Sequence, residues 1–382
     1  MEDLGSIRTR IDAIDDQICA LFAERMACTN EVAEYKRANG LPVLDRTRER
    51  HKLADVASKV PAELRGYSQV LFDLIMAVSR AQQSGELDAN PELEQAIARA
   101  REDTPALFPQ DALVACQGVE GAYSQIAADR LFRHPSITFL DSFEDVFRAV
   151  DEGACRYGVL PVENSTAGSV NQVYDLMRRH SFYVVRSLRL KVNHNLLALP
   201  GATVAGIRDV YSHQQALDQC RGYLARTLPE ASVHVCANTA AAAKLVAESG
   251  RRDAAALSSR ACASLYNLVP LERNVQDSDA NYTRFACISK SLEIYPGADR
   301  TSLMVVTGNE PGSLYKVLAR LYALDVNIVK LESRPLPKSD FEFLFYFDLD
   351  CQTAMPNFPQ LIASLGDTCE EFRYLGSFAE VL

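Results

Sequence analysis

The chain has 382 residues, 48% of them hydrophobic and 24% charged, with a formal net charge of -10. That balance fits a globular protein long enough for two or three domains, and the acidic excess without a basic patch argues against a nucleic-acid partner, whose phosphates need clustered Lys and Arg. The charged start MEDLGSIRTRIDAIDDQ has no apolar leader, no run nears membrane-spanning length, and the ten cysteines form neither a C-x-x-C pair nor a Cys/His cluster, so a cytoplasmic, non-membrane protein with reduced thiols and no metal is expected.

Apolar residues recur at Leu4, Ile7, Ile11, Ile14, Ile18 and Leu21, predicting one long helix toward Lys36. The stripe continues onto Arg25. A guanidinium there needs a partner carboxylate or an anionic ligand, unless it snorkels from the helix edge. Lys36 returns to the same face about 16 Å further along, whereas Arg8 precedes Arg25 by about 25 Å and points elsewhere. If Arg8 serves an equivalent site, it does so from a second, antiparallel chain. Gly40 and Pro42 break the helix, and Asp45 is a candidate N-cap for the next. There Asp45, Arg48, Glu49 and Lys52 form a polar stripe of the kind that more often faces solvent. The third helix, YSQVLFDLIMAVSRAQQS, ends its apolar side in Ser79 and Gln83, which either line a pocket or mark a fraying end.

Arg8, Arg25, Lys36, PVLDRTRER and the Ser79/Gln83 pair resemble the all-helical chorismate mutases, in which three helices per chain interlock as a dimer. The resemblance implies that Arg25, Arg48 and the partner's Arg8 hold the carboxylates of chorismate. It also implies that Lys36 and Gln83 donate to the breaking ether oxygen, that Glu49 and Asp45 orient the ring hydroxyl, and that Ser79 assists a carboxylate. A pericyclic rearrangement needs no nucleophile or cofactor, only a fixed conformer and stabilised charge.

A polar connector follows, punctuated by Pro91, Pro105 and Pro109 and holding one short helix. ALVACQGVEGAYSQIAADRLF then reads as strand, glycine loop and helix, with Ser124 at a helix start that suits an anion. In ACRYGVLPVENSTAGSV an apolar strand ends in Glu163, Asn164, Ser165 and Thr166. That loop suits chemistry, and an Asx turn fits it almost as well. DVYSHQQAL places His213 and Gln215 at a further junction. Repeated strand-helix alternation predicts sheets with helices on both faces. In NVQDSDANYTRFACIS a hydroxyl and a cation, Thr283 and Arg284, stand at the mouth of a strand.

Taken in order, GVEGAYS, GVLPVENSTAGSV, YSH and QDSDANYTRF resemble prephenate dehydratase. Gln214 departs from the proline usual after the YSH histidine. The resemblance implies two α/β lobes built like a periplasmic solute-binding protein, with prephenate between them. Loss of water and CO2 needs a proton for the leaving hydroxyl, so Thr283 is read as its hydrogen-bond donor. Glu163, Asn164 and Gln215 support it, Ser124 and the glycine loop hold an anionic group, and Arg284 holds a carboxylate unless it pairs within the protein.

From residue 300 the order is strand SLMVVTG, turn NEPGS, helix LYKVLARLYALD, strands VNIVKLESRP and FEFLFYFDLD, a helix after Pro356 and strand FRYLGSFAEVL. This α+β, ferredoxin-like plan alone names no function. PGSL and ESRP resemble the ACT domain, which implies a phenylalanine site at Gly312, Ser313, Leu314, Glu332 and Ser333. Together the segments resemble the bifunctional chorismate mutase/prephenate dehydratase family with a C-terminal ACT domain. The expected division is mutase 1–90, linker 91–108, dehydratase 109–292 and ACT 299–382. The expected function is chorismate to prephenate to phenylpyruvate, without cofactor, inhibited by phenylalanine, in a homodimer or larger oligomer. A non-enzymatic sensor would favour Ala at 283, and a fused dehydrogenase needs a G-x-G-x-x-G that is absent.

Overall fold

The computed structural model describes residues 3–42, 45–86, 90–309, 312–336, 343–355, 358–366 and 369–381. Val43, Leu44, Pro311 of the expected PGSL turn, Phe341 and Glu342 of the expected strand, Pro356 and Leu382 lie outside them. The chain opens with α1 (Leu4–Asn39), α2 (Arg46–Ser58), α3 (Arg65–Glu86) and α4 (Pro91–Asp103). The middle runs β1 (Asp111–Gln117), α5 (Tyr123–Leu131), β2 (His134–Leu140), α6 (Phe143–Asp151), β3 (Tyr157–Asn164), β4 (Gly168–Ser169), α7 (Asn171–Arg179), β5 (Tyr183–Lys191) and β6 (Asn195–Ala198). It continues with β7 (Asp209–Ser212), α8 (Gln214–Gln219), α9 (Arg221–Thr227), β8 (Ser232–Val235), α10 (Thr239–Ser249), β9 (Ala254–Ser258), α11 (Arg260–Leu265), β10 (Val269–Glu272) and β11 (Tyr282–Ser289). The last part is β12 (Arg300–Thr307), α12 (Ser313–Ala323), β13 (Asn327–Pro335), β14 (Phe343–Asp350), α13 (Phe358–Leu365), β15 (Glu371–Phe378) and β16 (Glu380–Val381).

Two compact units result. One takes Met1–Ala98, Leu303–Cys351 and Met355–Tyr374; the other takes Arg99–Ser302, Gln352–Ala354 and Leu375–Leu382. In the first, Gly40 ends α1 in the left-handed region at φ 62°, where the missing Cβ removes the strain. The Asp45 side chain accepts the Arg48 N–H at 3.0 Å and so starts α2 as the sequence predicts. Helix α3 packs on α1 and α2 and also against α12 and α13. The α1 stripe is covered only in part: Ile11 is 49% and Leu21 63% exposed, with no further layer of described residues over them. The four-stranded sheet has the order β13-β14-β12-β15.

The second unit holds two sheets. One has the order β16-β5-β11-β3-β1-β2, with β4 beside β3; the other is β10-β6-β9-β7-β8. Central β3 is almost continuously buried, whereas edge β2 alternates, as burial on two faces or one requires. Phe132, Tyr157, Leu188, Phe285 and Cys287 belong to the core of the first sheet, and Ala-rich α10 packs with β9 in the core of the second. Two connections join the sheets, residues 192–194 and residues 273–281. They run side by side, with Val275 N donating to His194 O at 2.9 Å and Val192 N to Asn281 O at 2.8 Å.

Among the described residues no helix is long and apolar enough to cross a membrane.

Candidate functional site

The first three helices surround a cavity of ≈ 520 Å³ lined by Arg25, Lys36, Asp45, Arg48, Glu49, Ser79 and Gln83, with Lys52, Asp55 and Arg80. The stripe on α2 that resembled a solvated face therefore meets the polar end of α3. Arg25 donates to Ser79 Oγ, and that hydroxyl donates onward to Ile75 O at 2.8 Å. Burial, and then the charge of Arg48, lower the pKa of Arg25. Lys36 is lowered by burial and by Arg48, against the opposing charges of Asp45 and Glu49. Gln83 is buried, its Oε1 without a hydrogen-bond partner. Arg8 is exposed near the start of α1 and does not line the cavity. Arg80, which the spacing of Ser79 and Gln83 passes over, pairs with Glu49.

The second unit holds a cleft of ≈ 440 Å³ lined by both sheets: Ser124, Asn164 and Thr283 from one, His213, Gln215, Gln219, Asn238 and Thr239 from the other. No described residue lining it is Asp, Glu, Lys or Arg. Two helices start at its wall, α5 at Tyr123 and α10 at Thr239. In the glycine loop before α5, Gly121 has φ +89°, and a Cβ there would stand 2.7 Å from Cys262 Sγ. Asn238 caps α10 by accepting the Ala241 N–H at 2.8 Å.

Thr283 and Asn164 stand opposite one another in the β11–β3 ladder, and so do Arg284 and Glu163. Strand side chains alternate between faces, so the first pair meets the cleft and the second lies behind it. Arg284 Nε is 3.5 Å from Glu163 Oε2, and neither residue lines the cleft. This is the internal pairing that sequence left open for Arg284.

The polarity of the network around Asn164 follows from backbone donors. The N–H groups of Thr166 and Ala167 point at Asn164 Oδ1, at 3.1 and 3.0 Å, so that atom is the carbonyl oxygen. Its Nδ2 then donates among Asn281 Oδ1 at 2.8 Å, Thr283 Oγ1 at 3.0 Å and Tyr282 O at 3.2 Å. Asn281 in turn donates through Nδ2 to Gln219 Oε1 at 2.9 Å, and Gln219 Nε2 donates to Thr166 Oγ1 at 2.7 Å. Gln215 lines the cleft, but Gln219 makes these bonds. It lies four residues on, on the same helical face, and that spacing was the signal by which sequence could have found it. Asn281 and His194 were also missed. Burial lowers the pKa of both His194 and His213.

At the C-terminal end Gly312 caps α12 in the left-handed region at φ 90°, Ser313 and Leu314 open that helix, and Glu332 and Ser333 lie on edge strand β13.

Residues 7–84 match the family Chorismate mutase type II, and residues 114–293 match the family Prephenate dehydratase. A bifunctional chorismate mutase/prephenate dehydratase of Escherichia coli K12 is 30% identical over 383 residues, covering 98% of this chain and 96% of the relative. Among solved structures, a protein described as a novel type of quorum quenching acylase, GqqA, has a TM-score of 0.63 at 32% identity, over 70% of this chain and 98% of its own. The prephenate dehydratase of Arthrobacter aurescens, in complex with L-Phe, has a TM-score of 0.63 at 25% identity, over 70% and 90%. The chain belongs to the bifunctional chorismate mutase/prephenate dehydratase family, and it is an enzyme with both activities.

Proposed function

We propose that the helical cavity is the mutase site and the neutral cleft the dehydratase site, with both serving phenylalanine synthesis under feedback. In the cavity Arg25, Arg48 and the partner subunit's Arg8 hold the carboxylates of chorismate. Ser79 steadies Arg25, Lys36 and Gln83 donate to the ether oxygen, and Asp45 and Glu49 orient the ring hydroxyl. The exposed apolar stripe of α1 supports a dimer in which a second chain covers it and brings that arginine in.

One observation carries the dehydratase assignment: Thr283 Oγ1 receives the Asn164 amide, which leaves the hydroxyl's own proton free to point into the cleft. Through that proton Thr283 donates a hydrogen bond to the departing hydroxyl of prephenate; the C–O bond breaks as the electron pair of the C–CO2 bond moves into the ring, CO2 leaves, and the leaving hydroxyl takes from solvent the proton that makes it water. Asn164 holds Thr283, Gln215 contacts the substrate from the opposite wall, and the Glu163–Arg284 pair supports the two strands from behind. Without a cation among the described residues of the wall, the prephenate carboxylates are met by Ser124, the glycine loop and the positive ends of α5 and α10. The two sheets are the lobes of a periplasmic-binding-like domain spanning 109–292, with the mutase at 1–90, the linker at 91–108 and the effector domain at 299–382.

The β-α-β-β-α-β order of that last segment supports a ferredoxin-like ACT domain, with phenylalanine bound near Gly312, Ser313, Leu314, Glu332 and Ser333. Edge strand β13, with Val329 and Leu331 exposed, is the side on which a second copy would complete that site. The test is a product assay with chorismate and no cofactor, with and without phenylalanine. Phenylpyruvate formed and suppressed by phenylalanine is expected. Phenylpyruvate formed but unaffected by phenylalanine would refute the effector site.

A further inference from the structure

His194 sits on one of the two connections between the sheets and is 2% exposed. Its backbone is pinned on both sides: its N–H donates to Gln276 Oε1 at 3.0 Å, and its carbonyl accepts from Val275. Its ring lines the cleft edge-on to Tyr123, with Nε2 2.8 Å from Gln219 Oε1. That oxygen already accepts from Asn281, so Nε2 must carry the ring proton, and Nδ1 is left bare. Nδ1 is buried without a partner, the one such side-chain nitrogen or oxygen among the described residues lining this cleft. Leaving a buried ring nitrogen unsatisfied is unfavourable, so the ring is held in place by what its other nitrogen does.

Gln219 belongs to the end of α8, packed with the second sheet, whereas its Nε2 reaches Thr166 and Asn164 beside the first. It is the strut across the cleft, and it has two anchors on the connections between the sheets, Asn281 and His194. We infer that His194 is a positioning residue of the dehydratase: as a neutral Nε2–H donor it fixes the Gln219 amide, and through it the Asn164 amide that presents Thr283. The ring takes no part in proton transfer. This inference rests on the assignment of Thr283 and Asn164 to the dehydratase centre, and its test separates the two.

Three variants are compared in the full-length enzyme with prephenate as substrate. In His194→Gln the amide nitrogen falls near the position of Nε2; in His194→Asn it falls near Nδ1 and cannot reach Gln219; His194→Leu removes the donor altogether. Leu and Asn are expected to lower dehydratase kcat about tenfold, the scale of one lost directing hydrogen bond, with KM changed by less than about twofold. Gln is expected to restore most of kcat. Thermal unfolding of each preparation reports on folding, mutase activity normalises the amount of enzyme, and the Gln/Asn pair decides the matter even if the Leu variant folds poorly. Equal kcat for Gln and Asn, or Leu within about twofold of the unaltered enzyme, overturns the donor role. Thr283→Val is run alongside. If it keeps the dehydratase rate, the centre itself is misassigned and the role of His194 falls with it.

Discussion

The helical cavity and the cleft between the sheets, proposed above as the mutase and dehydratase sites, are built from opposite materials. The cavity gathers Arg25, Lys36, Arg48, Lys52 and Arg80 with Asp45, Glu49 and Asp55, on helices whose long side chains converge from three directions. The polar side chains described in the cleft are neutral amides, hydroxyls and imidazoles, and the Asn164 and Gln219 amides are turned by their neighbours. A rearrangement that breaks an ether bond without proton transfer gains most from charge placed near the oxygen, and long cations supply it. Donating a hydrogen bond to a leaving hydroxyl gains more from a donor that cannot turn away, and buried neutral side chains supply that.

The sharpest way to break the comparison is a crossed pair of substitutions. Arg25→Ala should lower chorismate rearrangement on the order of 10²- to 10³-fold and leave prephenate turnover intact, while Thr283→Val should do the reverse by a similar factor. Loss of both activities in either variant at unchanged thermal stability would mean that the two pockets do not act separately. A subtler substitution tests the neutral network alone. Asn164→Asp keeps the shape and the acceptor for the Thr166 and Ala167 amides but removes the donor to Thr283. The threonine proton should then turn to the new carboxylate, lowering dehydratase kcat on the order of 10²-fold with the mutase unaffected. A dehydratase rate within about threefold of the unaltered enzyme would show that the polarity of Asn164 is not what presents Thr283. Ionic strength gives a milder contrast. Raising salt screens charges in the open cavity, so mutase KM should climb several-fold while dehydratase KM moves less; equal slopes would remove the distinction in charge.

The same contrast decides what could be read from the residues in order. Helical residues repeat at a fixed spacing, so the α1 stripe led to Arg25 and Lys36, and Gly40 and Asp45 marked the ends of α1 and the start of α2. Arg80 escaped because it lies one position off the Ser79–Gln83 row, and only the approach of α2 to α3 brings Glu49 to it. In the second unit the local motifs located the strand ends, but which side of a strand faces a ligand depends on pairing. Thr283 and Asn164 share a face only because β11 lies beside β3 in that register, and the same register carries Glu163 and Arg284 behind the sheet. His194 and Asn281 are 87 residues apart in the sequence, and no local signal links them. Their meeting depends on two sheet connections lying side by side.

The smallest effect expected separates the sites by pH. In the proposed mutase site Lys36 acts as a cation, and burial together with Arg48 brings its pKa below the ordinary 10.5. Mutase kcat/KM should therefore fall as pH rises through that lowered value. In the cleft the shifts run the other way in their consequence. His194 and His213 are lowered from 6.5 by burial, so any histidine step in the dehydratase profile should fall below the ordinary histidine value. Lys36→Arg puts an always-charged group at the same place. It should remove the alkaline fall from the mutase, at some cost in rate, and leave the dehydratase profile superimposable on the original. An alkaline fall that survives the exchange would belong to another group, and Lys36 would then hold the ether oxygen with a pKa too high to be seen.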